Sequence, residues 1–197
     1  MHVAKSGLRV LGIAESYSGR EQSTLAGVVM RKDLWIDGAA FARVTVGGSD
    51  ATDAVIQIVT GLARRDINLL MIGGSVIAWY NIIDPAAVRD VTGLPVVITT
   101  YEESGGLTEE IHRHFPDDAG RLAAYRRLGD RTPVRLHTGY VLFIRPYGLS
   151  LTDAARLCND FTREGRVPEP VRVARLIARG ILRSSRFGGS GPDDHDR

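Results

Sequence analysis

Residues 8–16 read LRVLGIAES, and this run decides the fold that the sequence predicts. Its apolar and β-branched residues predict a strand over residues 8–15. Residues 24–32 (TLAGVVMRK) and 34–46 (LWIDGAAFARVTV) follow at hairpin spacing, so the three segments predict an antiparallel meander. Asp37 and the glycine after it predict a turn or bulge inside the third strand.

Crossover units are predicted after the meander. Apolar residues recur at helical spacing behind a capping serine or aspartate, and the unbroken apolar run INLLMIG is typical of a strand buried on both faces. The predicted elements are a helix after Ser49 or Asp50, a strand over residues 67–73, a helix from Asp84-Pro85 to Gly93 and a strand over residues 94–101. The order β-β-β-α-β-α-β matches a ribonuclease-H-like α/β core, with two strands parallel to the first.

The C-terminal third is predicted to add helices and one or two strands. Helices are predicted over residues 108–115, 119–129, 151–165 (capped by Ser150 or Thr152) and about 168–184, and strand character over residues 132–148. Neither an internal repeat nor a second domain is apparent. We therefore expect a single domain over residues 1–186, followed by a glycine-rich polar tail, residues 187–197, that is disordered.

The composition limits the class of protein. The 197 residues are 44% hydrophobic and 24% charged, which suits one globular domain with a sizeable core. The single cysteine, Cys158, excludes an internal disulfide and a cysteine-based zinc site, and its apolar helical surroundings predict a small buried side chain. No apolar run reaches the roughly 18 residues of a membrane helix, and the N-terminus lacks a signal-peptide pattern. We therefore expect a cytoplasmic protein with no membrane partner.

Charge is distributed unevenly along the chain. The formal net charge is +2, but residues 121–186 carry 14 arginines against five acidic residues, which indicates an anionic partner for this part. A stripe of arginines at spacings of 3, 4 and 4 follows the last helix. Such a stripe suits a phosphate backbone, and it is equally typical of a solvated helix face. The stripe comprises Arg172, Arg175, Arg179 and Arg183, and the predicted apolar face of the same helix comprises Val173, Leu176, Ile177 and Ile181.

Five segments, in one order, carry a resemblance to a known family. They are GLRVLGI, IDGAAFARVTVGGSDAT, MIGGSVIAWYNIID, TGLPVVITTY and EGRVPEPVRVARLIARGILRSSR. Together they resemble, over roughly residues 8–186, an archaeal family that is distantly similar to endonuclease V. Some members of that family are described as endonucleases that cut DNA at deoxyuridine. The resemblance implies a ribonuclease-H-like mixed sheet flanked by helices. It also implies Mg²⁺-dependent cleavage of DNA near a damaged base.

The resemblance implies metal-binding carboxylates at three places, and this sequence keeps one of them. Ala14 stands where relatives have the first aspartate of Gly-Ile-Asp-Asp, and Gly73 stands where endonuclease V has the aspartate that ends the fourth strand. Asp50, which enters the first helix, is kept. Glu15 could compensate only if the strand ends or bulges there, because successive strand side chains point to opposite faces. Glu15 and Asp50 are thus implied as catalytic residues and Mg²⁺ ligands.

The loop after the fourth strand is the predicted place for an extruded base. Ligands of open α/β sheets bind beyond the carboxyl ends of strands, so Trp79 or Tyr80 could stack a base and Asn81 could hydrogen-bond it. Arg172, Arg175 and Arg179 would contact the DNA backbone. The alternative for this helix is a solvated face, and Trp79 could instead belong to the core.

Three functions remain open at this point. The first is a metal-dependent endonuclease that acts near bases such as deoxyuridine and is impaired in this member. The second is a non-catalytic nucleic-acid-binding protein that retains the fold. The third is a small-molecule-binding domain that uses the glycine-rich exit of the fourth strand. A pocket with clustered acids would favour the endonuclease. A basic groove without a metal site would favour the non-catalytic nucleic-acid-binding protein, and a deep apolar pocket would favour the small-molecule-binding domain.

Overall fold

The computed structural model describes residues 7–17, 21–103 and 105–187. Its elements are β1 (Arg9–Ser16), β2 (Gln22–Arg31), β3 (Ile36–Thr45), α1 (Ala51–Leu62), β4 (Leu69–Gly73), β5 (Val76–Ile77), β6 (Asn81–Ile82), α2 (Pro85–Thr92), β7 (Val96–Thr100), α3 (Thr108–His114), α4 (Ala119–Arg127), β8 (Thr132–Arg135), β9 (Val141–Tyr147), α5 (Leu151–Asp160) and α6 (Glu169–Phe187). The predicted disordered tail lies, apart from Phe187 at the end of α6, outside the described residues.

One mixed sheet organises the described residues, in the order β3-β2-β1-β4-β7-β9-β8. The first three strands form the predicted antiparallel meander, and β4 and β7 run parallel to β1. The segment 132–148 forms two antiparallel strands, β8 and β9. A separate two-stranded hairpin, β5–β6, was not predicted, because strands of two residues are too short to show a period.

Helices cover both faces of the sheet. Leu11 and Ile13 pack with α1 and α2 on one face, whereas Val10 and Ala14 pack with α5 and α6 on the other. This alternation follows from the two-residue period of a strand. Cys158 lies fully buried in the second layer, as predicted. Burial raises the pKa of its thiol to about 12, so the side chain is an inert core group.

Helix α6 lies unusually close to β1. A Cβ atom added at Gly12 would come within 2.2 Å of the carbonyl carbon of Pro170. The helix therefore buries small residues against the sheet, and its fully buried positions include Ala174 and Ala178. The predicted apolar face of this helix is wrong in part, because Leu176 is 51% exposed. Periodicity finds large apolar side chains, but a close helix–sheet contact has room only for small ones.

Local signals in the sequence place several element boundaries correctly. Gly93 ends α2 in the left-handed region at φ 70°, and Asp84 caps the start of that helix by accepting from the backbone N–H groups of Ala86 and Ala87. The predicted bulge in β3 is confirmed, since β2 and β3 change register opposite Asp37. None of the helices in the described part of the chain is both long and apolar enough to cross a membrane.

Candidate nucleic-acid site

The carboxyl ends of β1 and β4 form the corner where the resemblance implies two carboxylates. The parallel register pairs Ile13 with Ile72, so Ala14 lies beside Gly73. Both positions face α6: Ala14 is buried in the core layer of that helix. A Cβ atom at Gly73 would lie 2.7 Å from Val171 Cγ1 and 3.6 Å from Arg175 Nη2. An apolar side chain and a guanidinium group therefore close this corner.

Glu15 points away from that corner. Strand β1 stays regularly paired with β2 as far as Ser16, so the strand neither ends nor bulges at Glu15, and its side chain faces the side opposite to Ala14. The carboxylate accepts a hydrogen bond from the Ser23 hydroxyl. Burial raises the pKa of Glu15, and the Ser23 and Ala78 hydrogen bonds and the Arg175 charge offset this only in part. Glu15 thus does not take the place of a carboxylate at Ala14.

Asp50 fixes the corner between β3 and α1. Its carboxylate accepts from the Thr45 hydroxyl at 2.7 Å and from the Asn81 side-chain amide at 2.7 Å. Partial burial acts to raise the pKa of Asp50, but the hydrogen bonds from Thr45 and Asn81 outweigh it and leave the pKa lowered. The predicted capping of α1 by this side chain is wrong: Asp50 occupies the cap position but makes no side-chain cap bond. Its carboxylate turns back onto Thr45 instead.

Asn81 supplies the cap that Asp50 does not. It is fully buried, and its side-chain carbonyl accepts from the Ala51 N–H at 3.1 Å. Its amide group donates to the Thr45 carbonyl at 2.9 Å and to Asp50. Asn81 therefore joins the β5–β6 hairpin to β3 and α1, and hydrogen bonding to a base would require these bonds to break.

The donor set of this region does not fit a resident divalent metal ion. Magnesium takes oxygen ligands in a near-octahedral arrangement, but Ala14 and Gly73 offer no side-chain oxygen. Glu15 and Asp50 lie in separate hydrogen-bond networks. Within residues 7–17, 21–103 and 105–187, no three or more His, Cys, Asp or Glu side chains are grouped so as to hold a metal. Among the described residues, Glu15 and Asp50 therefore belong to no cluster of three potential ligands.

The tip of the β5–β6 hairpin is strained and aromatic. Ala78, Trp79 and Tyr80 all lie in the left-handed region, at φ 41°, 60° and 60°, and each such non-glycine residue costs about 1–3 kcal/mol. Trp79 is 46% exposed, so it is not a core residue. Tyr80 stacks on His114, with ring centroids 5.6 Å apart. The hairpin therefore presents an aromatic surface to solvent.

Arg121 holds the hairpin in place, and no sequence pattern predicts this role. Its side chain is only 9% exposed and is ion-paired with Asp118 at 3.0 Å. It donates to the carbonyls of Gly47 at 2.8 Å and Gly48 at 3.0 Å, and also to the Tyr80 carbonyl. One guanidinium thus ties α4 to two loops. In the sequence, Arg121 is one of many arginines in a helical pattern, and nothing distinguishes it.

A cavity opens beyond the carboxyl ends of β4 and β7. We name it the β4–β7 cavity. Its volume is about 380 Å³, and its walls combine glycine backbone, hydroxyl groups and two arginines. The lining residues are Gly73, Gly74, Ser75, Val76, Thr99, Thr100, Tyr101, Glu102, Leu107, Tyr125, Arg131 and Arg145. This is a mixed polar cavity at the sheet edge where α/β proteins bind ligands, not a deep apolar pocket.

The arginines of α6 do not form one uniform stripe. Arg172 is exposed but ion-paired with Glu169 at 2.6 Å. Arg175 is half-buried and lies 5.0 Å from the centroid of the Tyr101 ring, at the edge of the β4–β7 cavity. Arg179 is exposed. Arg175 thus belongs to the corner formed by Ala14 and Gly73, whereas Arg172 and Arg179 face solvent.

Comparison with known families decides where this architecture belongs. A family model described as endonuclease dU matches residues 6–182. The chain belongs to the endonuclease dU family. A UPF0215 protein of Pyrobaculum calidifontis is 39% identical over 173 residues, which cover 87% of this chain and 95% of the relative. A UPF0215 protein of Thermococcus kodakarensis is 32% identical over 189 residues, which cover 90% and 94%.

Solved structures share the fold of this endonuclease dU family member. A protein of unknown function from Archaeoglobus fulgidus superposes with a TM-score of 0.76 at 26% identity, covering 88% of this chain and 98% of that one. Human endonuclease V gives a TM-score of 0.66 at 19% identity, covering 94% and 89%. A Ciona intestinalis endonuclease V in complex with inosine-containing DNA gives 0.62 at 16%, covering 91% and 87%. The fold is therefore endonuclease V-like, that is, ribonuclease-H-like, as predicted.

Proposed function

We propose that this chain is a DNA-binding member of the endonuclease dU family whose metal-dependent cleavage is impaired. One observation carries the proposal. Ala14 and Gly73 lie side by side at the ends of β1 and β4 without a carboxylate, and the Arg175 guanidinium approaches the same corner. Metal-assisted phosphodiester cleavage needs several anionic oxygens around the ion. A fixed positive charge at that corner opposes binding of a second cation.

The DNA-binding part of the proposal rests on the family and on charge. The family is described as endonuclease dU, and the Ciona endonuclease V of the same fold is in complex with DNA. Residues 121–186 supply 14 arginines, and arginine suits bidentate contact with phosphate. These features favour a nucleic acid over a small metabolite as the partner.

The β4–β7 cavity and the β5–β6 hairpin suit an extruded base. Enzymes that act on bases take the nucleotide out of the stack and enclose it in a pocket. The cavity lies at the foot of the hairpin, because Ser75 and Val76 line it and Trp79 projects from the tip. We infer that the extruded base, such as the uracil of a deoxyuridine, enters the cavity. Trp79 then stacks against the bases that remain in the DNA strand.

Tryptophan fluorescence tests this arrangement, because the chain has two tryptophans and both are exposed. Trp35 is 72% exposed at the start of β3, on another part of the surface. The Trp35→Phe variant leaves Trp79 as the sole emitter, and we expect deoxyuridine-containing duplex DNA to quench it. The matched Trp79→Phe variant leaves Trp35, whose emission should not change.

Affinity gives the second readout. Base–aromatic stacking is worth about 1–3 kcal/mol, so Trp79→Ala should raise Kd by about tenfold, and Trp35→Ala should leave it unchanged. Equal quenching of both tryptophans, or equal Kd values for the two alanine variants, would contradict the role of the hairpin. Failure of the native protein to bind the DNA at all would contradict the proposed function.

A further inference from the structure

Two arginines form the wall between the β4–β7 cavity and a second cavity next to it. Arg131 and Arg145 line both spaces, together with Tyr125. The second cavity has a volume of about 460 Å³. Basic residues outnumber acidic ones in both linings. Arg131 and Arg145 face Glu102 in the β4–β7 cavity, and the second cavity adds Arg126 to the two arginines against Glu103 and Asp130. This excess of guanidinium groups favours an anionic ligand.

Arg145 is a half-buried cation that forms no ion pair within the part of the chain that the structure describes. Among the described residues, no Asp or Glu lies within ion-pair distance of it, and its one hydrogen bond is from Nε to the Gly129 carbonyl at 2.9 Å. Burial lowers the pKa of Arg145 and the charge of Arg131 adds to this shift, whereas Tyr147, Tyr125 and the more distant carboxylate of Asp130 oppose it only in part. Burying a charge without a counter-charge costs free energy. An anion in the cavity would remove much of this cost.

Arg131 is held beside it by its own contacts. Its Nη1 donates to the Glu102 carbonyl at 2.9 Å, and its guanidinium lies 5.2 Å from the centroid of the Phe143 ring. These contacts orient the guanidinium in the wall that the two cavities share. A guanidinium group can bind two oxygens of one phosphate through parallel N–H···O bonds.

We propose that Arg131 and Arg145 form a phosphate-binding subsite, which holds a phosphate group of the nucleotide whose base enters the β4–β7 cavity. The cavity has the size of a small-molecule site, enough for one nucleotide unit and not for a duplex. The subsite presupposes the DNA binding proposed above, because both use the same cavity. It adds a contact that Arg172 and Arg179, the solvent-facing arginines of α6, do not provide.

Binding at several salt concentrations tests the subsite. The probe is a labelled duplex with one mismatched deoxyuridine, and the variant is Arg145→Gln. Loss of one phosphate contact lowers the slope of log Kd against log salt by about one. We expect this change together with a roughly tenfold rise in Kd. Arg135→Gln is the matched control, because Arg135 is exposed on β8 and lines neither cavity. It should change neither quantity.

A second measurement on the native protein separates this inference from the proposed function. Deoxyuridine monophosphate and inorganic phosphate are each titrated while the arginine Nε–Hε NMR signals are followed. We expect the Arg145 signal to shift with both ligands, at lower concentration with the nucleotide, and the Arg135 signal to stay. Shifts without any binding of DNA would refute the proposed function and would leave the two arginines as a phosphate site for a free nucleotide.

Two results would overturn the subsite and leave the proposed function standing. In the first, the Arg145→Gln protein binds DNA with the native Kd and the native salt slope. In the second, neither ligand shifts the Arg145 NMR signal. Arg145→Lys keeps the charge, so it should keep the salt slope even where the glutamine variant fails to fold.

Discussion

At the residue scale, Asn81 is a structural joint between β3, α1 and the β5–β6 hairpin. Asn81→Ala would leave the Ala51 N–H and the Thr45 carbonyl without their partner, and each unsatisfied buried group costs about 1–3 kcal/mol. We expect the free energy of unfolding, measured in urea, to fall by about 3 kcal/mol. The control is Asp53→Ala on the exposed side of α1, which should stay within about 0.5 kcal/mol of native. A comparably small change for Asn81→Ala would show that Asn81 does not stabilise the connection between β3, α1 and the hairpin.

Glu15 and Asp50 should make the free energy of unfolding depend on pH in opposite directions. The folded state raises the pKa of Glu15 above its ordinary 4.5, so the stability it contributes is present below that value and is lost as pH rises through the folded pKa. The folded state lowers the pKa of Asp50 below its ordinary 3.8. The stability contributed by Asp50 is therefore present above that value and is lost as pH falls through the folded pKa.

Two variants, Glu15→Gln and Asp50→Asn, measure this contrast. Relative to the native protein, Glu15→Gln should gain stability as pH rises above 4.5. Asp50→Asn should be destabilised at neutral pH, and its deficit should shrink as pH falls below 3.8. Thermal unfolding from pH 3 to pH 8 gives both curves. Parallel curves for the two variants would show that the environments of these carboxylates are not as described.

At the scale of the elements, the contact between β1 and α6 is set by Gly12. A Cβ atom there would lie 2.2 Å from backbone of Pro170, which cannot move without the helix. Overpacking of this kind costs about 1–3 kcal/mol, so Gly12→Ala should lower the free energy of unfolding by that amount. Gly61→Ala in α1 meets nothing within 4 Å and should instead stabilise by about 0.5–1 kcal/mol. Equal effects of the two substitutions on Tm would contradict the close contact.

Elements with a strong period or a clear stop signal could be predicted from the sequence. The meander, both parallel strands and α2 with its Asp84 cap and Gly93 end are found where expected. The β5–β6 hairpin could not be predicted, because its turn uses three non-glycine residues with positive φ, which sequence patterns exclude. The buried face of α6 was also missed in part. Its small residues carry little hydrophobic signal, although they fit the narrow space next to β1.

At the scale of the whole molecule, the sequence located the candidate site but not its geometry. Ala14 and Gly73 were singled out as departures, and the parallel register places them side by side. The face on which the Glu15 side chain lies depends on the regular pairing of β1 with β2 as far as Ser16. The side chain of Asn81 is held by hydrogen bonds to segments distant in sequence. Arg121 and Arg145 depend on the tertiary fold as well. An arginine inside the apolar strand VLFIRPY was the one available signal for Arg145.

Two aspartates at positions 14 and 73 do not fit the present packing against α6. An aspartate at position 73 would place its Cβ 2.7 Å from Val171 Cγ1, so Ala14→Asp and Gly73→Asp should be combined with Val171→Ala. We expect this triple variant to gain Mg²⁺-dependent cleavage of deoxyuridine-containing DNA. The matched control carries asparagine at positions 14 and 73 with the same Val171→Ala change. It has the same size without the charge, and it should remain inactive.

The most direct test of the central claim is single-turnover cleavage by the native protein. The protein is held above its Kd for a deoxyuridine-containing duplex, so that the DNA is bound, and strand breaks are followed with and without Mg²⁺. We expect Mg²⁺ not to speed the cleavage of bound DNA, because Ala14 and Gly73 bring no side-chain carboxylate to the corner that they form with Arg175. Rapid Mg²⁺-dependent cleavage that Glu15→Ala or Asp50→Ala abolishes would contradict this account and would assign a working metal site to those carboxylates.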